Sequence, residues 1–149
     1  MIGLPRKVVF IDRNSGGRAF RDIRIAVNIR VVLHDEHFTN SKTPDHVWVK
    51  EIGKLGWLMV TGDIATERNA FFLDAFKRSK AHVFILCGLN HGTPQERANC
   101  VTDAYPEMIS LSLGNRGPRL WKAKPGERLL SVDFRATLGK MKKYGRTSN

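Results

Sequence analysis

The sequence predicts an α/β protein, a three-layer α/β/α sandwich with a mostly parallel central sheet and a C-terminal β-hairpin. Three observations predict it. Four short apolar runs, "KVVFI" at 7–11, "IRVVL" at 29–33, "WLMVT" at 57–61 and "HVFIL" at 82–86, are rich in β-branched residues and do not alternate. That is the pattern of strands buried on both faces of a parallel sheet. Between and after these runs lie stretches with apolar residues at helical spacing. Beyond residue 117 the pattern turns to alternation around a Pro-Gly pair, which reads as an antiparallel hairpin.

The strand at 7–11 is followed by Gly16-Gly17 and a helix with Ala19, Phe20, Ile23 and Val27 on one face. With the strand at 29–33 this makes a βαβ unit, expected to cross over right-handed. The polar loop at 34–42 leads to a helix with Thr43 as N-cap and Pro44 at its first position. Val47, Trp48, Ile52 and Leu55 share its face, and Gly56 stops it. After the strand at 57–61, a loop at 62–69 enters a helix carrying Phe72, Leu73 and Phe76. After the fourth strand, Thr93, Pro94 and Glu96 spell a capping box with proline inside it, and Ala98, Val101 and Tyr105 follow on one face. Pro106 is expected to break or kink this helix, leaving a further short helix over 106–114. In the hairpin, "PRLWKA" and "RLLSVDF" flank "KPGE", with Leu130, Val132 and Phe134 alternating. The remainder is basic, short of apolar residues and expected to fray. This divides the chain into a domain at 1–135 and a flexible tail at 136–149.

A chain of 149 residues with 42% hydrophobic content suits one domain with a substantial core. No run approaches the roughly 18 apolar residues of a membrane span, and residues 1–10 lack the features of a signal peptide. A cytoplasmic protein without membrane contact is the expectation. Cys87 and Cys100 are the only cysteines; two lone thiols make neither a zinc pattern nor a disulfide framework, and both read as buried small hydrophobes. The net charge of +11 is uneven: +5 over residues 1–30, −2 over 31–114 and +8 over 115–149. Cationic ends of this kind attract phosphate polymers through counterion release. Simple solubility or an acidic protein partner is the plainer alternative.

Parallel strands place their carboxyl ends at one edge, where open α/β sheets bind ligands. Strand one ends in Asp12, strand two in His34, Asp35 and Glu36, and strand three in Thr61, Gly62 and Asp63. Asp45 opens the helix after strand two, on the same edge. Carboxylates brought this close repel one another, and a divalent cation removes the conflict. Mg²⁺ or Mn²⁺, which prefer oxygen ligands, held by Asp12, Asp45 and Asp63 would suit phosphodiester hydrolysis. Each acid alone also has a plainer reading as a turn or cap residue. Glu51 and Glu67 read as solvated charges. Arg13, Asn14, Arg68 and Asn69 are placed to contact phosphate or orient the carboxylates, with capping and surface ion pairing as the alternative. His34 and His37 flank two acids without the further ligand that zinc requires; a structural polar loop is the plainer reading, with an RNA contact or acid the alternative for His37. Trp48, Trp57 and Trp121 read as core, with base stacking an alternative for Trp121.

The ordered segments "VVFIDRNSGG", "VVLHDEHF", "TPDHVWVKEIGKLGW", "LMVTGD" and "ERN" resemble the bacterial PIN-like domains of the toxin type, relatives of the ribonucleases of VapBC-like toxin–antitoxin pairs. The resemblance covers roughly residues 7–135 and is most specific in the first 69. It implies a PIN-like fold and Mg²⁺- or Mn²⁺-dependent cleavage of RNA. By position, the acids of the family fall on Asp12, Asp45 and Asp63, with Trp48 supporting Asp45 from the core. The fourth acid falls on Asp35, ahead of Glu36. The expected partners are RNA, an antitoxin protein and a second copy of the chain. The competing reading is a non-catalytic RNA- or protein-binding module on the same fold. A receiver-like phosphoacceptor domain ranks below both, because Asp12 stands without a paired acid and strand four ends in "CGLN".

Overall fold

The computed structural model describes residues 7–12, 29–33 and 45–147. The helix expected over 16–27 and the loop at 34–42 fall outside them. The described elements run in the order β1 (Val9–Ile11), β2 (Val31–Leu33), α1 (Asp45–Leu55), β3 (Leu58–Thr61), a 3-10 helix (Ile64–Arg68), α2 (Ala70–Phe76), β4 (His82–Leu86), α3 (Pro94–Gly114), β5 (Arg119–Ala123), β6 (Leu130–Ser131) and α4 (Phe134–Thr147).

Six strands form one sheet in the order β2-β1-β3-β4-β5-β6. The first five are parallel, and only β6 runs antiparallel, against β5. Because side chains alternate along a strand, the apolar runs split between two faces. Val9, Ile11, Leu58, Val60, Phe84, Leu86 and Trp121 point to one face, where Ala98, Val101, Met108 and Ile109 of α3 cover them. Phe10, Met59, Val83, Ile85 and Leu120 point to the other, against Trp48, Val49 and Ile52 of α1, Phe72, Leu73 and Phe76 of α2, and Phe134 and Leu138 of α4. Both faces are filled, which is why the strands carry no polar alternation. Trp48 stacks on Phe10 with ring centroids 5.9 Å apart, and Trp121 is buried against Phe84, so the core reading of both holds. Among the described residues no helix is long and apolar enough to cross a membrane.

Three expectations are corrected. α3 runs unbroken through Pro106. The ring sits on the exposed flank of the helix, where water can satisfy the carbonyl that loses its N–H partner. The second hairpin strand is only Leu130–Ser131, and Phe134 opens a helix rather than continuing the alternation. The frayed tail is instead α4, extending to Thr147 across the boundary expected at 135. The reason is in the spacing: Phe134, Leu138 and Met141 recur at helical intervals. Phe134 meets the ring of Phe76 edge-on at 4.7 Å, and the Asp133 carboxylate caps the first turn by accepting from the Ala136 N–H at 3.0 Å.

Candidate active site

The chain leaves β1 towards β2 on one side and returns to β3 on the other. An open sheet leaves a crevice at the carboxyl ends where the strand order reverses in this way. Asp12 follows β1 directly, and its N–H donates to the Val60 carbonyl of β3 at 3.3 Å. The last residue of β3 is Thr61, fully buried. Its hydroxyl donates to Asp12 Oδ2 at 3.0 Å and accepts from the Asp63 N–H at 3.1 Å. One hydroxyl therefore ties the acid after β1 to the backbone of the acid after β3. Asp12 Oδ1 is shielded from solvent.

Asp63 is the N-cap of the 3-10 helix, its Oδ1 accepting from the Ala65 N–H at 3.0 Å. Asp45 is the first residue of α1. Only Gly56 and Trp57 separate α1 from β3, so Leu55 lies at the amino end of the strand. The eleven residues of α1, rising about 1.5 Å each, carry residue 45 back towards the carboxyl edge. The Asp45 side chain and the other expected site residues Arg13, Asn14, Asp35 and His37 lie outside what is described. Arg68 is exposed at the end of the 3-10 helix. Asn69 is the N-cap of α2, its side-chain oxygen accepting from the Phe72 N–H at 3.1 Å.

Glu67, expected as a solvated charge, is instead half-buried and paired with Lys122 of β5 at 2.5 Å. The pair pins the 3-10 helix to the sheet. Helix α4 packs against both α2 and the 3-10 helix. It starts where Phe134 meets Phe76 at the end of α2, so it runs antiparallel to α2 and its later turns travel towards the carboxyl edge.

Thr61 and Asn90 are the residues that motif reading passed over. A Cβ on Gly62 would come within 2.7 Å of the Asn90 side chain, so glycine is what lets the loop after β4 close over the β3 turn. Arg97 holds that loop, its Nε donating to the Leu89 carbonyl at 2.8 Å. The signal for Asn90 was available, since "CGLN" follows a parallel strand and must reach the same edge. Cys87 and Cys100 are half-buried rather than buried. Both line a cleft of about 490 Å³ between α3 and the β5–β6 connection. Burial, with Asp103 and Glu96 nearby, raises the Cys100 thiol pKa, so this thiol is not activated.

The carboxylates of Asp12 and Asp63 are hard oxygen donors of the kind Mg²⁺ and Mn²⁺ take. Among the described residues no group of three or more His, Cys, Asp or Glu could hold a metal ion.

No curated protein matches the chain, and no solved structure matches it. A family model described as the PIN like domain matches residues 7–88, a span that begins just before β1 and ends just after β4. It thus contains the whole Asp12–Thr61–Asp63 arrangement and the four strands whose carboxyl ends surround it. With more than half of its length matched, and with the mixed α/β sandwich that match implies, the chain belongs to the PIN-like domain family, a nuclease-type superfamily.

Proposed function

We propose that the protein is a Mg²⁺- or Mn²⁺-dependent endoribonuclease of the cytoplasm and the toxin component of a toxin–antitoxin pair. The observation that carries the reading is the Thr61 hydroxyl bridging the Asp12 carboxylate and the Asp63 backbone at the strand-order reversal. In this reading Asp12, Asp45 and Asp63 are the metal ligands and Asp35 is the fourth acid. A bound divalent cation supplies a water of lowered pKa and charge stabilisation at the leaving oxygen. Thr61 holds the Asp12 carboxylate in one orientation, so that little reorganisation is needed when charge develops. Arg68, exposed beside the crevice, meets a substrate phosphate, and Arg13, Asn14 and His37 serve the same substrate from the loops after β1 and β2.

Asp63→Asn is a clean test, because asparagine caps a helix about as well as aspartate and the 3-10 helix survives the change. Cleavage of a single-stranded RNA in Mg²⁺ is expected to fall by at least about 100-fold, the scale of removing one electrostatic element of a site. Asp12→Asn is expected to do the same. An Asp63→Asn protein that cuts at the wild-type rate would remove the site assignment. For the toxin role, growth arrest on expression, relieved by the product of an adjacent reading frame, is the expected result.

The cap made by Asp63 Oδ1 favours a second reading, in which that carboxylate is structural and the domain binds RNA without cutting it. Salt-sensitive binding with no metal-stimulated turnover by the purified wild-type protein would select it.

A further inference from the structure

The structure separates charge along the strand direction. The carboxyl edge holds Asp12 and Asp63. The opposite edge is cationic, and its cations come from elements far apart in sequence. Lys7 precedes β1, Arg30 precedes β2, Lys54 lies in the last turn of α1, Lys80 precedes β4, Arg116 precedes β5 and Arg119 begins it. All but Lys7 are exposed. Of the carboxylates on the elements that meet there, Asp74 pairs with Lys77 and Arg78, Asp133 caps α4, and Glu51 lies exposed on α1 one turn before Lys54. His82, under the same edge, has its pKa lowered by burial, against a hydrogen bond to the Asn115 carbonyl that raises it, and more weakly lowered by the charges of Lys7 and Arg119.

This edge is also rigid. The Arg119 N–H donates to the Ala81 carbonyl at 3.1 Å, and the Asn115 carbonyl lies 3.0 Å from His82 Nε2. At Gly117 a Cβ would stand only 2.1 Å from the Lys80 carbonyl, so the loop carrying Arg116 is pressed onto the residue carrying Lys80. From Arg30 to Arg119 the edge spans four strand spacings of about 4.8 Å, roughly 19 Å.

We propose that the amino edge of the sheet is an RNA-binding face that grips the phosphate backbone, separate from the acidic crevice and about the length of a strand away from it. The proposal deepens the ribonuclease reading and rests on it for the identity of the polyanion. RNA is favoured over a protein partner by the make-up of the edge. Protein interfaces carry an apolar centre, whereas the exposed apolar residues on this side, Leu55 and Leu113, sit on helices covering opposite faces of the sheet.

The test uses the full chain in an Asp63→Asn background, so that binding is read without cleavage. Affinity for a fluorescein-labelled 30-nucleotide RNA is measured from about 50 to 200 mM salt, the range over which phosphate contacts show. Lys80→Gln/Arg116→Gln/Arg119→Gln is compared with Lys124→Gln/Arg128→Gln/Lys140→Gln, which removes the same charge from exposed positions elsewhere. Each phosphate contact contributes a log–log slope of about 0.7 on single strands. The first variant is therefore expected to flatten the slope by about 2 and to weaken binding at least tenfold at the lowest salt, and the second to leave the slope near that of the parent. Equal flattening by both would overturn the proposal, since net charge alone would then explain it. A first variant with the parent's slope for RNA but reduced binding to a poly-glutamate peptide would also overturn it, in favour of an acidic protein partner. Loss of cleavage in the Asp63→Asn parent bears on the ribonuclease reading and leaves this slope measurement independent.

Discussion

Replacing Thr61 by valine tests the bridge at the centre of the site. The two side chains have nearly the same shape, and Thr61 is fully buried, so the change deletes a hydroxyl with little change in packing. Two partners lose their contact: the Asp12 carboxylate loses a donor at 3.0 Å and the Asp63 N–H loses an acceptor at 3.1 Å. A hydrogen bond to a charged group is worth about 1.5–3 kcal/mol, and a shielded N–H left without an acceptor costs about 1–3 kcal/mol. Water reaching the half-buried Asp63 recovers part of the second term. The expected loss of folding stability is therefore about 2–4 kcal/mol, read as a lower denaturation midpoint at unchanged slope in urea. Thr61→Ser is the control: it keeps the hydroxyl and deletes one methyl, for about 1 kcal/mol. The double-mutant cycle of Thr61→Val with Asp12→Asn should show a coupling above about 1 kcal/mol. If Thr61→Val proves as stable as Thr61→Ser, or the cycle shows no coupling, the hydroxyl does not hold the Asp12 carboxylate and the argument for a preorganised site is wrong.

Three other outcomes are expected. Leu138→Ala should destabilise the protein by about 2–5 kcal/mol in chemical denaturation, the cost of emptying a buried leucine site, whereas a frayed tail would lose nothing. Gly117→Ala should cost at least about 1–3 kcal/mol as overpacking, because the added Cβ meets the Lys80 backbone rather than a side chain that can turn away. His82 has a pKa lowered by burial, which outweighs the opposing hydrogen bond to the Asn115 carbonyl. The unfolded chain therefore binds the proton more readily than the fold does, and the contribution is complete above the ordinary histidine pKa near 6.5 and is lost as pH falls below it. The melting temperature should drop between about pH 7 and 5, and His82→Gln should flatten that part of the profile; a drop of equal size in the variant would assign it to other groups.

Much of the fold was legible because a parallel sheet buried on both sides leaves a strong local trace. The runs at 7–11, 29–33, 57–61 and 82–86 each contain an observed strand, since a strand covered on two faces can afford no polar alternation. The capping box at Thr93 is equally local, made of residues three apart. The C-terminal helix was misread for a physical reason. Leu130, Val132 and Phe134 fit a strand period and Phe134, Leu138 and Met141 fit a helix period. Which of them wins depends on the Phe76 ring and the surface of α2, elements more than fifty residues earlier.

The sequence by itself determined the order of strands and helices and the placing of acids directly after parallel strands, because hydrophobic period and strand polarity act over a few residues. Only the tertiary structure decided that Thr61 links Asp12 to Asp63, that Asn90 closes over Gly62, that Glu67 is drawn out of solvent by Lys122, and that cations from five segments share the far edge. Those facts follow from which strands are neighbours in the sheet, and neighbour order is set by packing over the whole core.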